Sequence, residues 1–164
     1  MGRKTIQVAI KNSFFPILFG LVILVMFSSC SEQVFFDQTH DFKQSKWTDQ
    51  DTAVFLVDVD NTAINYNFLL TLRVSKKYKY SNLWVKVITI APDGSESVLA
   101  QRIDVANADG SWKGLVSGSV VENRLHYKTN AFPLVGEYTF KLIQAVEQPV
   151  IDEVLDIGMR IEAI

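Results

Sequence analysis

The chain is poor in the residues that most chemistry needs. Its 164 residues hold one cysteine, two histidines, four prolines and eight glycines. A lone Cys30 excludes an internal disulfide. Destined for another use, it also leaves no Cys–His nucleophile pair. His40 and His126 have no Cys or acidic neighbour at metal-ligand spacing, so neither reads as a zinc ligand. No serine sits in a Gly-x-Ser-x-Gly elbow, and there is no Gly-x-x-x-x-Gly-Lys phosphate loop or dinucleotide fingerprint. No cofactor is expected. Basic clusters are scarce too, which removes the electrostatic reason to bind nucleic acid.

Nor is there an apolar run long enough to span a bilayer as a helix. The longest, Phe14 to Phe27, is interrupted by Pro16 and Gly20. As a helix it would reach about 21 Å, against a hydrocarbon core of about 30 Å. Arg3, Lys4 and Lys11 precede it, and the small residues Ser28 and Ser29 follow, just before Cys30. That is the layout of a cleaved lipoprotein signal. The cysteine sulfur takes a diacylglycerol, cleavage leaves Cys30 first, and its new amino group can be acylated. The third residue before the cysteine is Phe27, where such signals usually carry Leu. Two or more acyl chains give stable anchoring. Residues 1–29 are therefore expected to form a signal-peptide helix, and residues 30–52 a lipidated tether that becomes a first strand around Val34–Phe36. The leader takes three basic residues and no acid with it, so the mature portion is acidic.

Beyond residue 52 the pattern has period two, the mark of half-buried strands. Ala53, Phe55, Val57 and Val59 share one face, as do Tyr66, Phe68, Leu70, Leu72 and Val74. Further strands are expected at 98–105, with Leu99 inward, and at 125–132, 137–146 and 154–162. Residues 83–90 are almost all apolar and read as a central strand covered on both faces. Asp60-Asn61, Pro92-Asp93-Gly94, Asp109-Gly110 and Pro133 to Gly136 supply turns. Helical spacing is absent outside the leader. Seven or eight strands with short turns predict an all-β domain over 53–164, an antiparallel β-sandwich of immunoglobulin-like or jelly-roll type.

Three groups stand out as candidate sites. Lys76, Lys77, Tyr78, Lys79 and Tyr80 form a basic, aromatic turn, which reads either as a surface that meets a partner or as a solvated hairpin tip with Tyr78 or Tyr80 folded over the core edge. Trp112, between Gly110 and Gly114, is a candidate sugar-stacking ring or, more simply, the aromatic plug of a tight loop. These aromatics support a binding surface for a glycan or cell-wall polymer. Asp58 and Asp60 project from one strand face beside Asn61, a weak calcium candidate because hard oxygen ligands suit Ca²⁺. The Asp-x-Asp-x-Asp-Gly loop with its distal Glu is missing, and closing a strand explains these acids as well.

Short segments from Cys30 to about Glu162 carry a resemblance. They are Tyr66-Asn67, Tyr80-Ser81-Asn82-Leu83, Pro92-Asp93-Gly94, Asp109-Gly110-Ser111-Trp112-Lys113-Gly114, Phe132-Pro133 with Gly136-Glu137-Tyr138, Gln144-Ala145, and Asp156 through Glu162. In this order and spacing the chain resembles the gliding motility lipoprotein GldH family of Bacteroidetes. The resemblance implies a non-enzymatic envelope lipoprotein, working with other gliding motility and type IX secretion envelope proteins. It supplies no catalytic residues. It also implies the periplasmic face of a membrane, the outer one by preference. Only one acid, Glu32, follows Cys30 closely, where surface-exported lipoproteins of this phylum tend to carry an acidic run.

Overall fold

Alternating burial builds the first long strands directly. In β3 (Ala53–Val59) each odd-numbered side chain is buried and each even-numbered one is exposed. In β4 (Asn65–Ser75) Tyr66, Phe68, Leu70, Leu72 and Val74 go in, and their neighbours are at most half-buried. The computed structural model describes residues 33–164. The expected leader helix and Cys30 lie outside the described residues.

The other strands are β1 (Gln33–Asp41), β2 (Lys46–Thr48), β5 (Asn82–Ile90), β6 (Glu96–Asp104), β7 (Leu115–Ser117), β8 (Val120–Ala131), β9 (Gly136–Gln144), β10 (Val150–Asp152) and β11 (Val154–Ala163). Five of them form one sheet in the order β1-β11-β4-β8-β7. Four form a second, β3-β9-β5-β6, and β10 pairs with β2 in a small ribbon. All pairings of named strands are antiparallel. The two larger sheets bury their inner faces against each other as a β-sandwich. The chain crosses directly between them at β3–β4, β4–β5, β6–β7 and β8–β9.

Phe132, in the β8–β9 connection, is a hub of the core. Its ring lies 4.7 Å from that of Tyr138 and 5.2 Å from those of Tyr66 and Phe68, centroid to centroid. Such tilted and edge-on contacts are the favoured aromatic geometry.

Residues 33–52, expected as a tether opening into a strand near Val34–Phe36, are largely folded onto the sandwich. β1 pairs with β11 along its length. A register shift between Val34 and Phe36 brings both Phe35 and Phe36 against the core, which is why no alternation was visible there. Phe35 meets Tyr66, and Phe36 packs edge-on against Phe55 of the opposite sheet. Downstream, Phe42 stacks on the fully buried Trp47, whose indole N–H donates to the Asp51 carbonyl at 2.8 Å.

Two expectations about sheet faces need correction. β5 is interior to its sheet but is not covered on both faces: Trp84 is 43% exposed, and Lys86 is exposed. Leu99 of β6 is 40% exposed, although Ile103 and Val105 beyond it are buried. β6 is an edge strand, and beside it the sheets part over a cavity of about 220 Å³ lined by Phe68, Leu99, Tyr127, Phe132 and Phe140.

Candidate docking surfaces

The basic aromatic turn and the Trp112 loop, remote in sequence, are stitched together. Val105 and Ala106 both donate their N–H to the Ser81 carbonyl, at 2.7 and 3.0 Å. Ala106 in turn bridges to Trp112. Both loops lie at the sandwich end where β4 and β6 finish and β5 begins.

Their side chains have different fates. Tyr78 belongs to the core, with its hydroxyl donating to the Asn82 carbonyl at 3.1 Å. Burial pushes that hydroxyl's pKa well up. Trp112 is half-buried and packs on the core. Tyr80 remains 48% exposed, its ring 5.5 Å from Tyr78, and Lys76, Lys77 and Lys79 are exposed. A groove of about 370 Å³ runs beside Tyr80, lined also by Lys79, Asn82 and Gln148. Nearby, Lys113 donates to Asp104 at 2.8 Å; with Arg102 it holds that carboxyl below its ordinary range.

The aspartate pair does not gather a ligand set. Asp58 faces outward on β3 opposite Glu137, and Asp60 is exposed just past the strand end. The Asn61 side-chain oxygen already accepts the Ala63 N–H at 2.8 Å. Among the described residues, no group of three or more His, Cys, Asp or Glu side chains is placed to hold a metal. His40 does have an acidic neighbour that its local sequence hides: its Nε2 is 3.3 Å from Asp51. His126 pairs instead with the Thr129 hydroxyl.

The sharpest contrast lies between the two outward sheet faces. On the five-stranded sheet the outer face is largely polar and internally paired, with Leu115 exposed at its β7 edge. Arg73 of β4 meets Asp156 of β11, Arg160 bridges Asp37 and Glu162, and Arg124 meets Glu122. The Thr129 hydroxyl donates to Asn67. On the four-stranded sheet the register sets Val54, Lys141, Ile88 and Val98 in one row across all four strands. Leu56, Thr139, Ile90 and the exposed Glu96 form the next row, and Ile143, Lys86 and Ala100 another. Val54, Leu56, Trp84 and Val98 are each between 43% and 53% exposed. Lys86 and Lys141 make no ion pair among the described residues. The sequence did carry this signal: it is the almost wholly apolar run at 83–90, read as burial on both sides.

Residues 34–161, from within β1 to within β11, match the family model described as GldH lipoprotein. The chain belongs to the GldH lipoprotein family. It is 26% identical over 160 residues to a gliding motility lipoprotein GldH homolog of Christiangramia forsetii, covering 92% of this chain and 97% of that one. It is 27% identical over 162 residues to the gliding motility lipoprotein GldH of Flavobacterium johnsoniae, with 93% and 97% covered. Membership makes it a gliding motility lipoprotein, anchored at a membrane of the cell envelope. Among solved structures, CBM35 from Cellvibrio japonicus Abf62 aligns over 82% of this chain and 93% of its own. Its TM-score is 0.33 and its identity 10%, too remote to carry an argument about ligands.

Proposed function

We propose that this GldH-family lipoprotein is a non-enzymatic structural component of the gliding motility machinery and its associated type IX secretion apparatus. It is held by acylated Cys30 at the periplasmic face of the outer membrane. Its four-stranded sheet docks on another envelope protein of that machinery. One observation carries this reading: the outward face of that sheet holds an exposed apolar patch with two unpaired lysines, bordered by Asp58, Glu137 and Glu96, while the opposite face satisfies its own charges. Exposed contiguous apolar patches mark interaction sites. The partner's surface is apolar, with carboxylates placed to meet Lys86 and Lys141.

A photo-crosslinking residue in place of Trp84, in intact cells, is expected to capture an envelope protein of the motility machinery. The same residue in place of Arg124, on the paired face, is expected to capture none. Equal capture from both faces, or none from Trp84, would sink the docking assignment. Metabolic labelling with palmitate that marks the wild type and not Cys30→Ala tests the anchor. Protease treatment of intact cells that removed the protein would reverse the periplasmic placement.

The groove beside Tyr80 supports a second reading, a glycan- or cell-wall-binding module. Loss of glycan binding with Tyr80→Ala or Trp112→Ala would favour it.

A further inference from the structure

We infer that the end of the sandwich nearest Cys30 is a membrane-contacting end, with Val34 and the Leu134-Val135 tip seated in the lipid headgroup and upper acyl region. This inference rests on the anchor at Cys30 proposed above. Only Ser31 and Glu32 stand between Cys30 and Gln33, where β1 begins. Those three peptide steps span at most about 10–11 Å when fully extended. The interfacial zone on each side of a bilayer is itself about 5–8 Å deep. An acylated Cys30 therefore holds the start of β1 within or directly upon the headgroups.

What shares that end is fixed by strand register. Ala163 of β11 pairs with Gln33 on one side and Tyr66 on the other. Asn65 pairs with Ala131, and Val59 pairs with Gly136. The starts of β1, β4 and β9, the ends of β3, β8 and β11, and the β8–β9 connection are thus gathered around the anchored terminus. That connection is fastened to the core: the Leu134 N–H donates to the Tyr138 hydroxyl at 3.0 Å, and the hydroxyl donates back to the Leu134 carbonyl. Its outward side chains are apolar. Val135 is 59% exposed, Val34 46% and Leu134 37%.

A rigid loop with an apolar tip, tethered within reach of lipid, is placed to insert rather than to stay in water. Despite Lys128 farther along β8, the charges nearest the tip are acidic and oppose an electrostatic attachment to anionic lipid. Asp58, Asp60, Asp93 and Glu137 are exposed on the surrounding strand ends and turns. The contact is therefore apolar, and added salt should leave it intact.

The test uses the full lipoprotein, acylated in the cell and reconstituted in vesicles of phosphatidylethanolamine and phosphatidylcholine. Cys30 being the sole native cysteine and acylated, Val135→Cys and, separately, Leu134→Cys give single sites for an environment-sensitive fluorophore. Lys79→Cys, at the far end, is the reference. Nitroxide groups are placed on the lipid acyl chains near the glycerol. Both tip labels are expected to be quenched several-fold more than the label at 79, with no loss in high salt. Equal quenching at both ends, in protein that floats with the vesicles, overturns the inference and leaves the anchor standing. Protein that does not float refutes the anchor, and this inference with it. Crosslinking between tip cysteines of two copies, with no quenching, assigns the tip to self-association and also overturns the inference.

Discussion

Arg73 and Asp156 face each other across β4 and β11, with Arg73 Nε 2.8 and 2.9 Å from the two carboxylate oxygens. Asp156 is only 2% exposed. Burial raises its pKa above the ordinary 3.8; Arg73 opposes that shift, and the Asp41 and Glu122 charges add to it. The sign follows. With the folded value raised, the protonated form of Asp156 favours folding, and that contribution is lost as pH climbs from 3.8 through the folded value. Arg73→Met removes the counter-charge and leaves a buried carboxylate alone. It should cost about 3 kcal/mol at neutral pH. The deficit should shrink on acidification as Asp156 protonates. Urea melts across this range check it; a deficit unchanged by pH would count against the buried charge as its cause.

Gly114 should tolerate no side chain. A Cβ there would lie 2.1 Å from the Glu122 carbonyl oxygen and 2.6 Å from the Asn123 side-chain oxygen. The first of these is β8 backbone and cannot step aside. Gly114→Ala is expected to destabilise by about 3 kcal/mol or to dislodge the loop that carries Trp112. Gly118 supplies the comparison. Its φ is +57° but its surroundings are open, so Gly118→Ala should cost only about 1–2 kcal/mol of backbone strain. Thermal unfolding of the two variants side by side measures the difference.

Trp47 should matter to the fold far more than Trp84. It is fully buried, stacked on Phe42 with ring centroids 4.6 Å apart. Trp47→Ala should cost about 3–5 kcal/mol. Trp47→Phe should keep much of the packing and lose the bond to Asp51. Equal losses from the two variants would mean that the hydrogen bond, not the volume filled, holds the β2–β10 ribbon in place.

Where one sheet face meets the core and the other meets water, local sequence was enough. Ala53, Phe55, Val57 and Val59 alternate with exposed residues, and β3 is where they place it. The same rule faltered wherever it was locally broken. The bulge near Phe35 lets adjacent aromatics both pack inward, so a strand was legible only around Val34–Phe36 and the rest of β1, to Asp41, was not. Leu99 keeps its alternation but sits on an edge strand over a cavity, so its exposure depends on β8. In β5 an apolar outer face imitates a core strand, because hydropathy does not record which side has a partner. The candidate site was legible only in part. A hairpin tip with one tyrosine folded over the core was legible, but which one was not: Tyr78 is buried, its hydroxyl donating to the Asn82 carbonyl, and Tyr80 stays exposed. The Arg73–Asp156 pair spans strands far apart in sequence, and only their register brings it together.

The two functional readings part at Trp84 and Tyr80, which lie on different surfaces. Trp84 and Leu56 are 43% and 53% exposed, so Trp84→Glu with Leu56→Glu replaces apolar area that the fold does not need. Exposed changes of this kind usually alter stability by no more than about 0.5 kcal/mol each. The doubly substituted lipoprotein should therefore accumulate and be acylated normally. A carboxylate at 84, beside Lys86, and another at 56, one row from Lys141, also offset the positive charge that an acidic partner would meet. Cells carrying this variant should lose colony spreading, while Tyr80→Ala should spread normally. The opposite result, with normal spreading for the double variant and none for Tyr80→Ala at equal protein levels, would shift the function to the groove at the far end.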